Sequence, residues 1–356
     1  MEVLVLIPYL YGFTPGQRSS VELWERPLKK AGINFHYSAF ETDRLRNIFY
    51  KPGHFVSKAI EMTRGYIRRI QDMNDLDRYD AVLIYREAAL IGPAFFEKWI
   101  ARKGKPIIYQ LDDPLYVPYK SSFNGYYSYL KCFGKVADIC RISSAVIVNS
   151  SHHYDYVRQF NSNVSVIPSL VDTDYYRFEP NNQSTDEICI GWSGSPSTAD
   201  NLQVISEALQ KLSKKKRYKL HLIGSSNFNL PNISYSSQVW KSETEVEDLR
   251  KIQIGLVPLP NTEWNKRKFF QKVAQYMALG IPPVCTPLGS NPEVVEHGVT
   301  GFLAESQDEW IEYIEKLALD SSLRLKMGQN AAKVAQEKYS LDAYSDKLVE
   351  IFKSIK

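Results

Sequence analysis

Cysteine and histidine are scarce in this sequence, and neither is spaced as a metal or redox site requires. Four cysteines are scattered along 356 residues without a Cys-x-x-Cys pair, so we expect free thiols in a reducing compartment. Six histidines are present, and the adjacent pair His152 and His153 would diverge on a helix. The sequence therefore gives no sign of a zinc site or a disulfide framework.

Long apolar runs are also missing. No segment approaches the roughly 20 apolar residues that a membrane-spanning helix needs, and residues 1–8 lack the basic start of a secretory signal. The formal net charge of +4 is small for 356 residues, and no nucleic-acid recognition motif accompanies it. We therefore expect a cytoplasmic protein that does not bind nucleic acid.

Several catalytic motifs are not found. The absence of G-x-G-x-x-G argues against a dinucleotide site, and the absence of H-E-x-x-H, G-x-S-x-G and a P-loop lysine weakens hydrolase and NTPase interpretations. Strand-like and helix-like segments alternate instead, with strands predicted at 3–8, 81–85, 106–111, 145–149, 164–168, 187–193, 220–224, 252–259 and 281–285. This alternation is typical of parallel sheets in α/β proteins. The chain is long enough for two such domains.

The stretch 265–303 contains a helix with two distinct faces. An apolar stripe and a polar stripe repeat at helical spacing, the first Phe270, Val273, Ala274 and Met277 and the second Lys268, Gln271, Lys272 and Gln275. Lys266, Arg267 and Lys268 crowd the predicted helix start, where cations are disfavoured unless an anion binds. This indicates a phosphate site, although long side chains extending into water explain the pattern equally well.

Two turns rich in small residues follow predicted strands. One contains Gly194, Ser195 and Thr198 before a helix predicted over 199–212, and the other contains Gly289, Ser290 and Asn291 shortly before Glu293. Glycines there let a ligand approach the backbone, and a loop that leads into a helix offers N–H groups to anions. We expect both turns at the carboxyl ends of strands, where α/β sheets bind ligands.

Polar residues also end the strands in the first half of the chain. Arg86 follows one strand, Asp112 and Asp113 follow the next, and Ser150 follows a third. Because the carboxyl ends of parallel strands share one edge of the sheet, these side chains should converge. At least one aspartate is expected to contact a ligand, although an aspartate after a strand also commonly caps the next helix.

A predicted helix over Phe55–Met73 is amphipathic. We expect its apolar residues Val56, Ile60, Ile67 and Ile70 to face inward, with basic residues opposite them at positions 58, 64, 68 and 69. A basic face of this kind could contact anionic lipid. The solvated face of an ordinary surface helix is the simpler explanation.

Three ordered motifs resemble the donor-binding half of GT-B glycosyltransferases of family four. They are K-x-x-Q-Y-M-A-x-G-I-P-x-V from Lys272, P-x-G-S-N-x-E-V-V from Pro287 and G-V-T-G-F-L from Gly298. The resemblance implies an α/β protein with two Rossmann-like, doubly wound parallel-sheet domains that face a cleft. It also implies an acceptor-side domain at 1–174, a donor-binding domain at 175–340 and a helix at 341–356 that returns to the first domain.

One departure from the family concerns two glutamates with seven residues between them. Arg267 and Gln275 occupy these positions here. Gln275 can still exchange hydrogen bonds with ribose hydroxyls, whereas Arg267 cannot replace a carboxylate. The family's usual arginine and lysine near the loop at 194–198 are also missing, so we expect Lys268 and Lys272 to supply that charge.

The resemblance implies transfer of a sugar, with retention, from a nucleotide-diphosphate sugar to a hydroxyl of a glycan or lipid-linked acceptor. The setting would be synthesis of a bacterial surface polysaccharide such as lipopolysaccharide, with peripheral contact at the inner membrane also considered. No permanently bound cofactor and no divalent metal are expected, because cationic side chains and helix ends would stabilise the leaving diphosphate. Two alternatives are a GT-B nucleotide-sugar epimerase and a non-catalytic nucleotide-sugar-binding module.

Roles for individual residues follow from the same resemblance. The expected catalytic residues are Lys272, Lys268, Asp112 and Asp113. The expected donor-binding residues are Gly194, Ser195, Thr198, Gln275, Gly289, Ser290, Asn291 and Glu293, with Ser225, Ser226 and residues 258–260 beside the nucleobase. The expected acceptor-side residues are Arg18, Arg86 and Ser150.

Overall fold

The structure is a computed structural model that describes residues 1–49, 51–119, 125–180, 187–215, 217–224, 228 and 230–355. Contacts within the chain form two compact units. The first comprises Met1–Ser169 together with Tyr344–Lys356, and the second comprises Leu170–Ala343. No helix among the described residues combines the length and the apolar character needed to cross a bilayer.

The first unit is built on a six-stranded parallel sheet in the order β2-β1-β3-β4-β5-β6. Its strands are β1 (Glu2–Ile7), β2 (Asn34–Ala39), β3 (Ala81–Tyr85), β4 (Ile107–Leu111), β5 (Ala145–Val148) and β6 (Val164–Val166). Every residue of β3, β4 and β5 is buried, as expected of apolar strands covered on both faces. The edge strand β2 is half-exposed, and its mixed sequence gave no strand signal.

Helices cover this sheet. They are α1 (Pro15–Gln17), which continues into a π-helical turn at Arg18–Glu22, α2 (Glu25–Lys30), α3 (Asp43–Phe49), α4 (Phe55–Asn74), α5 (Phe95–Arg102), α6 (Lys135–Ile142) and α7 (Ser151–Val157). Short 3-10 segments lie at Leu76–Arg78 and Tyr126–Lys131.

Helix α4 has the opposite orientation to the one predicted. The side chains of Val56, Ile60, Ile67 and Ile70, expected to face inward, are 75%, 46%, 51% and 45% exposed. The buried positions are Glu61, Gly65, Arg69 and Met73. The prediction failed because periodicity identifies the two faces of a helix, whereas specific polar contacts decide which one is buried.

The contacts of Arg69 and Gly65 explain this orientation. The fully buried Arg69 donates from Nε to the Ala88 carbonyl at 2.6 Å and from Nη2 to the Ile7 carbonyl at 2.9 Å. A Cβ at Gly65 would lie 2.7 Å from the Phe40 ring, so only glycine permits this close approach. A buried arginine with satisfied donors is tolerated, whereas one without partners is strongly disfavoured.

The second unit contains another six-stranded parallel sheet, in the order β12-β11-β10-β7-β8-β9. Its strands are β7 (Ile188–Ser193), β8 (Tyr218–Ile223), β9 (Tyr235–Gln238), β10 (Ile254–Val257), β11 (Pro283–Cys285) and β12 (Phe302–Leu303). Its helices are α8 (Ser206–Ser213), α9 (Glu245–Leu249), α10 (Gln271–Ala278), α11 (Asn291–Val294), α12 (Gln307–Leu319) and α13 (Ser321–Lys338), with 3-10 segments at Pro196–Ile205, Asn265–Arg267 and Asp342–Tyr344. The predicted α/β class is confirmed.

The last helix, α14 (Ser345–Ser354), belongs to the first unit. Its fully buried Phe352 packs on Phe35 of β2, with ring centroids 5.5 Å apart. The prediction that the C-terminal helix returns to the first sheet is therefore confirmed.

Two predicted helices of the second unit begin differently from the expectation. The segment at 199–212 starts as a 3-10 helix at Pro196 and becomes α-helical at Ser206. The helix predicted from about residue 266 begins at Gln271, because the backbone is extended at Lys268 (φ −97°, ψ 142°) and Phe270 (φ −106°, ψ 90°). Both Phe269 and Phe270 are buried in the same hydrophobic cluster of the second unit.

Candidate functional site

Lys272, in the first turn of α10, directs its ammonium group at the end of β7. Its Nζ lies 4.4 Å from the ring centroid of Trp192, within the range of a cation–π contact. A Cβ placed on Gly194 would lie 2.9 Å from this Nζ and 2.4 Å from the Trp192 ring. Glycine at 194 therefore lets the ammonium approach the backbone of the loop predicted to bind an anion.

The environment of Lys272 disfavours its positive charge. Burial, together with the nearby charge of Lys268, lowers the pKa of Lys272 to about 7. No carboxylate forms an ion pair with Lys272 among the described residues. An anion beside Lys272 would stabilise its charged form. The geometry and the electrostatics therefore both indicate a site for a phosphate-like group.

The loop after β7 is held in a tight turn. Thr198 donates from its backbone N–H to the Ser195 carbonyl at 2.9 Å, and its hydroxyl contacts the same oxygen at 3.0 Å. Gly194 donates to the Ile223 carbonyl at 3.0 Å. At Gly224, where φ is +136°, a Cβ would lie 1.7 Å from the Gly194 oxygen. The two neighbouring strand ends therefore need glycine to hold this loop beside Lys272.

The turn at Gly289 is fixed to the backbone of Lys268. Ser290 donates its N–H to the Lys268 carbonyl at 3.2 Å, and a Cβ on Gly289, where φ is +60°, would lie 2.5 Å from that oxygen. Ser290 and Asn291 are buried, Asn291 Nδ2 donates to the Thr286 carbonyl at 2.9 Å, and Glu293 is exposed. This turn thus positions Lys268 through main-chain contacts.

Gln275 is buried in a polar contact within the second unit. Its Nε2 donates to the Tyr176 hydroxyl at 2.8 Å and to Glu245 Oε1 at 3.2 Å. Both amide hydrogens are therefore used inside the protein, and the carbonyl oxygen is the atom left for a further contact. The sequence gave no signal for Tyr176 and Glu245, because both lie far from Gln275 in the chain.

Lys266 and Arg267 do not face a vacant anion site. Their side chains bind Glu263, with Lys266 Nζ 2.7 Å from Oε1 and Arg267 Nη1 2.6 Å from Oε2. These hydrogen bonds lower the pKa of Glu263 to about 2. The phosphate-site interpretation of this basic cluster is therefore wrong for its first two members, which form an exposed ion pair.

In the first unit, Arg86, Asp112 and Asp113 meet at the carboxyl edge of the sheet, as predicted. Arg86 Nε donates to Asp112 Oδ1 at 2.6 Å, and Nη2 lies 2.6 Å from Asp113 Oδ2. Asp112 Oδ2 also accepts from Arg86 Nη2 at 2.8 Å and from the Tyr85 hydroxyl at 2.7 Å. Both aspartates therefore bind Arg86, and neither caps a helix in the described residues 114–119.

Ser150 and Arg18 occupy the starts of helical segments. Ser150 caps α7, because its Oγ accepts from the His153 N–H and lies 2.8 Å from His153 Nδ1. It is joined to the rim through Asn149, whose Nδ2 donates to the Asp112 carbonyl at 3.1 Å. Arg18 is half-buried at the first position of the π-helical turn. The loop before Arg18 packs closely on Arg86, because a Cβ on Gly16 would lie 3.3 Å from Arg86 Nη2.

The remaining predicted positions add little. Ser225 and Ser226 lie outside the described residues. The Pro260 carbonyl, after β10, accepts from Asn265 Nδ2 at 2.9 Å.

Burial raises the pKa of the Cys140 thiol to about 12, which makes this thiol unreactive. In the part of the chain that the structure describes, no group of three or more His, Cys, Asp or Glu residues could hold a metal ion.

Comparison with known proteins finds a family match that covers the Lys272 site. Residues 187–320 match the model described as Glycosyl transferases group 1. This segment contains Lys268, Lys272, Trp192 and the loop at Gly194, whereas Arg86 and the two aspartates lie outside it.

Two curated relatives match a short part of this chain. N-acetyl-alpha-D-glucosaminyl L-malate synthase of Bacillus anthracis is 32% identical over 92 residues, which cover 25% of this chain and 23% of that protein. D-inositol 3-phosphate glycosyltransferase of Corynebacterium jeikeium is 34% identical over 80 residues, covering 22% and 19%. The alignments thus span less than a quarter of either relative.

Solved glycosyl transferases share the fold over the full length. HepE of Anabaena in complex with UDP-glucose has a TM-score of 0.73 and 15% identity, with 99% of this chain and 100% of that chain covered. Sucrose-phosphate synthase of Thermosynechococcus elongatus has a TM-score of 0.74 and 15% identity, with 99% of each chain covered. The predicted GT-B fold is confirmed.

Proposed function

We propose that this protein is a group 1 glycosyltransferase that moves a sugar from a nucleotide-diphosphate sugar to a hydroxyl of a glycan or glycolipid. The observation that carries the proposal is the ammonium group of Lys272, held against the Gly194 backbone and the Trp192 ring. The group 1 family match covers these three residues. The UDP-glucose bound to HepE supports a nucleotide sugar as the donor class.

Lys272 would stabilise the leaving diphosphate. The pKa of Lys272 is lowered to about 7, and a bound diphosphate would raise it and so favour the charged ammonium. Lys268 and the Ser195 hydroxyl would add further positive potential. Electrostatic help of this kind contributes most where charge develops on the leaving group, so we propose transfer without a divalent ion.

The reaction we propose proceeds with retention. The bond between sugar and phosphate breaks first, the acceptor hydroxyl attacks the same face, and a departing phosphate oxygen takes its proton. The candidates for an acceptor contact are Asp112 and Asp113, which both bind Arg86 at the carboxyl edge of the first sheet. Replacing either aspartate by asparagine should slow transfer and leave nucleotide binding unchanged.

We further propose a role in bacterial surface polysaccharide or glycolipid synthesis, at the cytoplasmic face of the inner membrane. The donor would be bound by the second unit through the Lys272 site. The acceptor would be bound by the first unit through the rim formed by Arg86, Asp112 and Asp113. In this scheme Gln275 contacts the donor with the carbonyl oxygen that its internal hydrogen bonds leave available.

Thermal-shift screening against a panel of nucleotide sugars and nucleoside diphosphates tests the donor site. Lys272→Ala should abolish the shift and reduce turnover about 100-fold or more, as expected for loss of a group that stabilises the leaving charge. The matched control is Lys316→Ala, which removes another ammonium placed over an aromatic ring, 5.6 Å from the Phe302 centroid. Normal turnover by Lys272→Ala would contradict the assignment.

Product analysis with and without an acceptor separates the alternatives. A glycosyltransferase releases nucleoside diphosphate in step with glycosylated acceptor. An altered nucleotide sugar formed without acceptor would instead identify an epimerase. Nucleotide binding without turnover of any donor would identify a non-catalytic module.

A further inference from the structure

The outward face of α4 carries a stripe of exposed apolar side chains, with Thr63 among them. Val56 is 75% exposed, Ile67 51%, Ile60 46% and Ile70 45%. At about 100° per residue these side chains fall within an arc of roughly 80°. Phe55, 58% exposed, adds an aromatic ring at the first turn. The stripe follows a helix of 20 residues, which is about 30 Å long.

This stripe cannot be buried by rotating the helix. The opposite face is anchored by Arg69, which donates to the Ile7 and Ala88 carbonyls. Gly65 allows the Phe40 ring to pack where any side chain would overlap it. Rotation would break the Arg69 hydrogen bonds and leave a charged group without partners, so the folded first unit exposes the stripe permanently.

Positive charge lies beside the stripe. Arg64 is about 80° from Val56 around the helix, its side chain is 56% exposed, and its partner is the buried Glu61. Arg44, 60% exposed, shares that same carboxylate at 3.9 Å, so one acid serves two arginines. Lys51 is exposed just before the helix. An apolar stripe flanked by cations matches the acyl chains and phosphates of an anionic membrane surface.

A second copy of this chain fits the stripe less well. Arg64 lies at the midpoint of α4, so antiparallel pairing of two stripes about a two-fold axis would bring the two Arg64 side chains together. Like charges at such an axis oppose association. Charge therefore favours a lipid surface as the occupant.

We propose that the outward face of α4 docks on an anionic bilayer surface, with the helix lying in the plane of the membrane. Arg69 ties α4 to the carbonyl of the last residue of β1 and to the Ala88 carbonyl after β3, at the sheet edge that also carries Arg86. Docking would therefore bring this edge close to the lipid. That the acceptor itself is carried on a lipid rests on the proposed function, whereas the docking surface does not.

Vesicle co-sedimentation of the full chain tests the proposal. We expect binding to vesicles of phosphatidylcholine with phosphatidylglycerol, weaker binding to phosphatidylcholine alone, and loss with added salt. The variant Val56→Ser/Ile60→Ser/Ile67→Ser/Ile70→Ser should bind at least ~10-fold more weakly, because each change removes buried apolar area in the bound state. The matched control Val239→Ser/Leu319→Ser replaces residues 56% and 64% exposed in the second unit, and it should bind like the wild type.

Charge and oligomeric state provide two further measurements. Lys51→Gln/Arg64→Gln should reduce the preference for anionic vesicles and leave binding to neutral vesicles unchanged. Analytical ultracentrifugation without lipid should find the same mass for wild type and the four-serine variant. A dimer that the four serines convert to monomer would overturn the proposal in favour of a second copy.

The proposal also fails if the four-serine variant sediments with anionic vesicles as wild type does, or if wild type does not bind them. The thermal shift with nucleotide sugars keeps this result separate from the proposed function. The four-serine variant should retain that shift, because the Lys272 site lies in the other unit. If the four-serine variant loses vesicle binding but keeps its thermal shift with nucleotide sugars, the result concerns docking alone. If the wild type shows no thermal shift with any nucleotide sugar, the result concerns the proposed function alone.

Discussion

Arg86 and Asp112 form a bidentate ion pair, with Nε 2.6 Å from Oδ1 and Nη2 2.8 Å from Oδ2. Arg86 has a left-handed backbone, with φ at 62°, a conformation uncommon for residues other than glycine. Burial alone would lower the pKa of Arg86, but the carboxylates of Asp112 and Asp113 raise it well above its usual value. The ion pair thus fixes Arg86 in a strained backbone conformation and keeps its side chain positively charged at the sheet edge.

Replacing Arg86 by methionine should strongly destabilise the first unit. Breaking a buried ion pair leaves an uncompensated charge, which typically costs about 3–5 kcal/mol. Urea denaturation should detect this loss. The matched control is Arg141→Met, whose partner Asp138 is 40% exposed, and an exposed pair should contribute less than about 1 kcal/mol. Equal losses in the two variants would contradict the structural role of Arg86.

Gly194→Ala should abolish nucleotide binding. The added Cβ would lie 2.4 Å from the Trp192 ring and 2.9 Å from Lys272 Nζ, so both side chains must move. Isothermal titration with UDP should show the loss. Gly134→Ala is the control, because a Cβ there meets nothing within 4 Å. Unchanged affinity in Gly194→Ala would mean that the Lys272 site does not hold the nucleotide.

Lys272 should make nucleotide binding dependent on pH. Its folded-state pKa of about 7 lies below the usual value of 10.5, so the unliganded protein holds a neutral amine at pH 8. A bound diphosphate raises this pKa, and binding at pH 8 should therefore take up a proton. Titration calorimetry in buffers of different ionisation enthalpy measures this uptake. Proton uptake that persists in Lys272→Met would assign it to another group.

The same shift affects stability without ligand. Between pH 7 and 10.5 the unfolded chain carries a protonated Lys272 and the folded chain a neutral one, since the folded pKa is about 7. Unfolding free energy should therefore rise with pH across this window. Lys272→Met, measured by urea denaturation at pH 7 and pH 9, should lack this part of the rise. An identical rise in both proteins would show that Lys272 is charged at pH 9.

Gln275→Glu should destabilise the protein more at high pH than at low pH. The new carboxylate would stand where the amide nitrogen lies 3.2 Å from Glu245 Oε1, and like charges raise the pKa of one partner. With a raised folded-state pKa, stability is kept at low pH and lost as pH rises above about 4.3, the usual value for glutamate. Melting temperatures at pH 5 and pH 8 measure the difference.

The double variant Gln275→Glu/Glu245→Gln provides the control for this prediction. It exchanges the carboxylate and the amide and so restores one charge and one donor to the pair. Its melting temperature should return towards that of wild type at pH 8. No recovery would mean that the contact between Gln275 and Glu245 contributes little.

Local sequence patterns predicted most of the fold because both sheets are parallel and largely buried. The strands β3, β4 and β5 appear as continuous apolar runs for that reason. The edge strand β2 was missed, since one-sided burial permits His36 and Ser38 within it. The extended backbone at Lys268 was missed because the neighbouring phenylalanines also fit a helical stripe, and only the packing of both rings excludes the helix.

The candidate site was predictable where strand order alone brings residues together. Arg86, Asp112 and Asp113 follow neighbouring strands, so their convergence could be inferred from the sequence. The contact of Trp192 with Lys272 and that of Glu245 with Gln275 depend on how helices pack on the sheet, which periodicity does not encode. The outward orientation of α4 was unpredictable for a related reason, because it depends on hydrogen bonds from Arg69 to two distant carbonyls.

The return of α14 to the first unit affects the order in which the two units are completed during synthesis. Phe352 packs against Phe35, so the first unit needs a helix that is translated after the whole second unit. The second unit, Leu170–Ala343, is contiguous and has all its residues earlier. Released chains truncated before residue 345 should therefore contain a complete second unit and an incomplete first one, in which Phe352 no longer covers Phe35.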